Sequence, residues 1–305
     1  MTRTVSVILN AGSGGGNSDA TADEVRRLFM AAGTQPEIAL ARGGDDLSRH
    51  VETALARRPD VIVAGGGDGT VSAVAGALVD TGIPLGVLPL GTLNHFAKDL
   101  CIPLDLDGAV AQVMHGRVER VDVGEVNGRV FINNSSLGLY PEIVRLREQQ
   151  QRQLGRGKWP ALLWASLKVL KRYPFLGVRM LVDQEARLRR TPFVFIGNNA
   201  YEMEGFDIGE RAGLSDGLLS LYVAQRPGRL RLLQLAVRAV LGRLQQARDF
   251  DALEATEIVI ESGRRHLRVA TDGEVTDMTP PLTYKIRPGS LAVMLAADSP
   301  VPGGS

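Results

Sequence analysis

The stretch Val61-Ile62-Val63-Ala64-Gly65-Gly66-Gly67-Asp68-Gly69-Thr70 constrains the fold more than any other part of the chain. A short apolar run ends in three glycines; an acid, a glycine and a threonine follow, and a helical segment begins at Val71. An apolar run without alternation suits a strand covered on both faces. A strand that turns at once into a helix presents backbone N–H groups at a helix N-terminus, where phosphate binds well. Gly65, Gly66 and Gly67 would let a bulky anion approach the backbone with no Cβ in the way. Asp68 repels phosphate unless a cation lies between them. The local expectation is therefore a nucleotide phosphate and a divalent metal, held from Gly65 to Thr70.

The turn has no lysine for a Walker A loop, and its spacing differs from the dinucleotide fingerprint. A second strand-to-helix turn follows at Leu88-Pro89-Leu90-Gly91-Thr92-Leu93-Asn94-His95-Phe96 and sets Thr92 and Asn94 at a helix start. Two such turns after neighbouring strands would face each other at the carboxyl edge of a sheet, where open α/β sheets hold ligands. A glycine-rich loop after the first strand, Asn10-Ala11-Gly12-Ser13-Gly14-Gly15, could add a nucleotide contact through Asn10. Thr271-Asp272-Gly273-Glu274 reads locally as a tight turn between two strands.

Strands alternate with helices up to about residue 120, which predicts an α/β domain with a parallel sheet. Beyond it, runs such as Arg129–Gly138, Thr191–Asn199, Gly217–Ala224 and Ala255–Ser262 predict a mostly antiparallel β-sandwich with two helical insertions. The expected division is 1–120, an α/β nucleotide domain; 121–295, a β-sandwich; and 296–305, a disordered tail. Ser18 or Asp19 is the expected cap of a helix over 21–32, and a helix over 45–57 opens on Asp45-Asp46 and closes on Arg57-Arg58. The single cysteine, Cys101, excludes an internal disulfide framework and fits a reducing compartment. The N-terminus reads as a first strand rather than a signal peptide, and no apolar stretch is long enough to span a bilayer. A soluble cytoplasmic protein is expected.

Net charge is +1, but residues 143–190 hold twelve Lys and Arg against three acids, and 226–248 hold six Arg and no acid. That asymmetry suggests an anionic partner surface. Residues 158–173, if helical, put Trp159, Leu162, Leu163, Leu167 and Leu170 on one face with Lys168, Lys171 and Arg172 opposite. Such a helix either packs on the protein or lies peripherally in a membrane interface. The helix expected over 229–247 suits packing or a homodimer. The basic surface lacks the interleaved aromatics of a nucleic-acid platform, so no nucleic-acid partner is expected.

In order along residues 4–295, the motifs NAGSGG, GGGDGT, GTLNHFA, VDVGEVNG with FINNSSLG, LSDGLL and TDGE resemble those of the diacylglycerol kinase catalytic family, especially its soluble bacterial lipid kinases. The resemblance implies an α/β nucleotide domain, a C-terminal β-sandwich, and ATP-dependent phosphorylation of a lipid hydroxyl, with a diacylglycerol-like acceptor at a membrane surface. It implies that Gly65 to Thr70, with Asn10, Thr92 and Asn94, hold ATP. Glu274 would take the proton of the lipid hydroxyl, with Asp272 beside it. Asp68, Asp122 and Asp272 would belong to a Mg2+ network, and Asp216 with the backbone carbonyls of Gly213 and Leu218 to a structural Mg2+ site. The chain departs from the family at His95, where an acid is usual, at Ala41, where a threonine is common, and at Asn198–Gly205, which carries two added acids. The alternatives are an NAD kinase-like enzyme and a nucleotide- or lipid-binding regulator that has lost catalysis.

Overall fold

The computed structural model describes residues 3–13, 18–138, 176–182, 185–191, 193–204, 207–211, 213–224 and 250–297. The helices expected over 158–173 and 229–247, Gly14 and Gly15 of the first loop, Gly205 and nearly all of the tail lie outside the described residues. By contact the chain forms two units, one of 1–123, 211–217 and 287–305, the other of 124–210 and 218–286.

The first unit is built on parallel strands in the order β2 (Glu37–Ala41), β1 (Val5–Asn10), β3 (Val61–Gly66), β4 (Leu85–Pro89) and the second half of β18 (Leu282–Leu295). Every residue of β3 and β4 is buried, as a parallel sheet covered on both faces requires. Each fully buried Val, Ile or Leu there contributes roughly 1.5–3 kcal/mol. Among the helices, α1 (Ser18–Ala31) packs with α5 (Leu106–His115), and α2 (Gly44–Arg57) packs with α3 (Asp68–Leu78). The chain leaves β1 for β2 on one side and returns to β3 on the other. That reversal opens a switch point beyond the carboxyl ends of β1 and β3, the usual ligand crevice of such sheets.

The second unit is antiparallel. One sheet runs β14 (Phe250–Ala255), β13 (Leu219–Ala224), β10 (Phe193–Asn198), β7 (Asn134–Gly138), β16 (Leu267–Thr271), β17 (Glu274–Met278). Another set of strands comprises β9 (Glu185–Thr191), β8 (Leu176–Val182), β15 (Glu257–Ser262) and the first half of β18, with the hairpin of β5 (Arg117–Val126) and β6 (Arg129–Phe131). Strictly alternating burial along β8 turns Leu176, Val178, Met180 and Val182 into one core with Val194, Ile196 and Leu221 of the other sheet. The sandwich expectation therefore holds.

The structure departs from the expectations in several places. By contact the first unit's N-terminal stretch ends at Val123, and 211–217 and 287–297 belong with it, because β18 continues past Pro288 and pairs in parallel with β4 at Val293 and Leu85. The strand gets through Gly289 by a left-handed backbone, φ 56°. Helix α1 already includes Ser18, so Ser18 and Asp19 lie in its first turn rather than capping it. The charged strand β9 (EARLRRT), the two-stranded sheet of β11 (Tyr201–Glu204) and β12 (Asp207–Arg211), and the strand β14 were not anticipated; β9 ends the sheet order, where charge is the usual guard against edge pairing.

Candidate functional site

At the switch point, the glycines of Gly65–Thr70 divide into separate duties. A Cβ on Gly65 would lie 2.2 Å from the Leu9 side chain, and one on Gly66 would lie 2.6 Å from Thr70 Oγ1. Both glycines are buried within β3, so packing also disfavours a side chain at either position. Gly67 is the N-cap of α3, and Asp68 is its first residue. A carboxylate there complements the helix dipole, and the first-turn amides have no partners within the helix. Asp68 is half-buried, and its carboxylate accepts one long bond from the Phe96 N–H at 3.4 Å.

The second turn abuts the first. A Cβ on Gly91 would meet Gly67 Cα at 2.4 Å, so the two turns touch backbone to backbone. Asn94, left-handed at φ 51°, closes this turn: its side chain accepts from Gly91 N–H at 3.0 Å and donates to the carbonyls of Gly91 and Pro89. Thr92 is exposed on the tip. Asn10 bridges the switch point, donating from Nδ2 to Thr70 Oγ1 at 2.9 Å and accepting from Gly12 N–H. Asn10, Thr70 and Asn94 thus shape the crevice, while Gly67, Asp68, Gly69 and Thr92 reach its surface.

Helix α4 (His95–Asp99) is fastened by a pair that no motif announced. Arg211 lies over the Phe96 ring at 5.7 Å and meets Asp99 at 2.6 Å, with both side chains almost wholly out of solvent. His95 is exposed at the head of the helix.

The acids expected around a metal behave differently from one another. Asp122, buried in β5, accepts the N–H of Gly217 at 2.7 Å and of Gly289 at 2.8 Å. It ties the loop carrying Asp216 to β18. The Asp216 carboxylate rests on Gly213, where a Cβ would meet its oxygens at 2.5 and 2.6 Å. A side chain at position 213 would thus displace that acid, and Asp216 itself is exposed. In the second unit, Asp272 accepts three backbone amides, from Ile132 at 2.8 Å, Asn133 at 2.8 Å and Asn134 at 3.0 Å. Three bonds nearly fill the four acceptor directions of a carboxylate. Among the described residues no group of three His, Cys, Asp or Glu side chains is arranged to hold a metal. Asp122 and Asp272 are occupied with backbone amides, and Asp68 receives the one long bond from Phe96.

Asp272 and Gly273 take φ 48° and 88°, the two positive values of the tight hairpin turn that Asp-Gly favours. The turn joins β16 to β17 and pairs Thr271 with Glu274. Glu274 stands at the start of β17 on a cavity of about 600 Å³ that Arg129, Arg268, Thr276 and Asp277 also line. Arg129, not singled out by any motif, holds Glu274 Oε2 at 2.6 Å.

Comparison with known proteins accords with this arrangement. Residues 4–126 match the family described as "Diacylglycerol kinase catalytic domain", and residues 143–295 match the "YegS C-terminal NAD kinase beta sandwich-like domain". The chain is 31% identical over 296 residues to "Probable lipid kinase YegS-like" of Pseudomonas syringae pv. tomato, covering 94% of this chain and 91% of that one. It is 26% identical over 264 residues to "Diacylglycerol kinase" of Bacillus subtilis, covering 84% and 85%. The crystal structure of a diacylglycerol kinase from Bacillus anthracis str. Sterne shares the fold, with TM-score 0.69 at 20% identity over 96% of this chain and 97% of that one. Strand order, the two abutting turns and these matches agree: the chain belongs to the diacylglycerol kinase catalytic family of lipid kinases.

Proposed function

We propose that the protein transfers the γ-phosphate of ATP to a lipid hydroxyl, with Glu274 as the general base and a diacylglycerol-like acceptor. The observation that carries the nucleotide half of this reading is the pair of abutting turns at the switch point. Gly67, Asp68 and Gly69 head α3 there, in backbone contact with Gly91. Their amides and the α3 dipole would bind the phosphates. Asp68 would hold Mg2+, with Asp216 and the Gly213 and Leu218 carbonyls serving a second, structural ion. Bound Mg2+ would neutralise phosphate oxygens, the main requirement of phosphoryl transfer.

The acceptor half rests on Glu274. A carboxylate within hydrogen-bond reach of an alcohol takes its proton as the new P–O bond forms, a contribution typically of about 100- to 10,000-fold. Glu274 is exposed on its cavity and paired with Arg129, which suits a base that must meet an incoming lipid. Asp272, by gripping three amides, fixes the turn from which Glu274 projects. Among the described residues no helix is long and apolar enough to cross a membrane, so the proposed route to a lipid is peripheral contact, with residues 158–173 as the candidate segment.

The test is incubation with ATP labelled at the γ-phosphate and a total lipid extract, with NAD+ supplied separately as acceptor. Label in a lipid supports the reading. Label in NAD+ alone would replace it with the small-molecule alternative.

A further inference from the structure

We infer that Arg129 is the positioning residue that holds Glu274 in its reactive orientation, an inference resting on the kinase reading above. The guanidinium makes three directed bonds at once. Nε donates to Thr271 Oγ1 at 2.8 Å, Nη1 to Thr276 Oγ1 at 2.9 Å, and Nη2 to Glu274 Oε2 at 2.6 Å. Thr271 and Glu274 are cross-strand partners in the β16–β17 hairpin, and Thr276 lies two residues beyond. The two hydroxyls fix the plane of the guanidinium before Glu274 is considered. The third arm then presents a charged donor at one set point on the cavity wall.

Arg129 is itself placed by a tight turn. Asn127 and Gly128 take φ 46° and 83°, close β5 against β6 and put Arg129 opposite Val126. Phe131 anchors the strand, its ring packed so closely over Gly124 that a Cβ there would lie 2.2 Å away.

Stability does not account for this arrangement. The Arg129 and Glu274 side chains are 37% and 64% exposed, and exposed ion pairs contribute little to folding. An exposed glutamate on a strand end otherwise samples several rotamers, whereas a catalytic group must be held within about 0.5 Å of its working position. The planar fork of arginine satisfies three acceptors in fixed directions; the point charge of lysine does not.

The experiment compares wild type, Arg129→Ala, Arg129→Lys and Thr276→Val in steady-state transfer to the labelled lipid, with thermal unfolding of each. Misplacing a reacting group by about 1 Å costs on the order of 100-fold. Arg129→Ala should therefore lose roughly 10- to 100-fold in kcat, with KM for ATP and the melting temperature essentially unchanged. Arg129→Lys should recover little of that loss, and Thr276→Val, which removes one strut but no charge, should fall in the same direction by a smaller factor. Wild-type kcat in Arg129→Ala, or full rescue by lysine, overturns the inference while leaving the kinase reading intact. A wild-type protein that labels no lipid overturns the kinase reading and this inference with it.

Discussion

Gly91→Ala is the substitution whose effect follows most directly from the geometry of the two abutting turns. The new methyl would sit 2.4 Å from Gly67 Cα, 2.7 Å from Asn94 Oδ1 and 3.3 Å from Gly67 N. Carbon atoms rest at about 3.5–4.0 Å, so the two turns must part by roughly 1 Å. No flexible side chain can absorb that movement, because the nearest atom belongs to the backbone of the neighbouring turn. Overpacking of this kind costs about 1–3 kcal/mol. The same displacement would carry the head of α3 out of register with a bound phosphate, and a misplacement of about 1 Å costs on the order of 100-fold in rate. Gly76→Ala is the internal control: it lies in α3, its Cβ would meet nothing within 4 Å, and it should stabilise by about 0.5–1 kcal/mol. Urea unfolding and ATP-dependent turnover of both variants decide the matter. A Gly91→Ala protein as stable and as active as wild type would refute the claim that the turns meet backbone to backbone.

Two further predictions concern groups that hold the units together internally. Asp99→Ala should destabilise the fold by about 1.5–3 kcal/mol, because it removes a charge-assisted bond to the buried Arg211 guanidinium; chemical denaturation checks this, and an unchanged stability would contradict it. Tyr284 is wholly buried and burial pushes its hydroxyl well above the ordinary tyrosine range. It donates to Ser135 Oγ, which in turn donates to the Ala270 carbonyl. Tyr284→Phe should therefore cost about 0.5–1.5 kcal/mol at neutral pH. A folded-state pKa above the unfolded one gives stability that is complete below about pH 10 and lost as pH rises further. The advantage of wild type over Tyr284→Phe should thus be flat up to about pH 9 and shrink beyond pH 10; a difference constant to pH 11 would contradict the assignment.

Much of the fold was readable because its signals are local. The run Val61–Ala64, the glycines after it and the Asp-Gly turn at 272–273 each state their backbone geometry in adjacent residues. The sandwich strands with alternating burial, such as Leu176–Val182, were equally plain. What escaped were relations across long separations. Gly65 and Gly66 read as openings for phosphate, and the sequence did not show that Leu9 and Thr70 also leave no room there for a side chain. Asp272 reads as a metal ligand by resemblance, yet it grips amides about 140 positions away. Arg129 carries no motif of its own; its meaning comes from Thr271, Thr276 and Glu274, which only strand pairing brings to it. The charged strand Glu185–Thr191 hid because edge strands are selected to look unlike buried ones.

The most direct test of the account replaces Glu274 by Gln, which keeps size and hydrogen-bonding capacity but cannot take a proton. With γ-labelled ATP and the lipid that wild type labels, Glu274→Gln should lose at least about 100-fold in transfer while its melting temperature and ATP affinity stay at wild-type values. Transfer within a few-fold of wild type would show that Glu274 is not the base, and the proposed chemistry would fail with it.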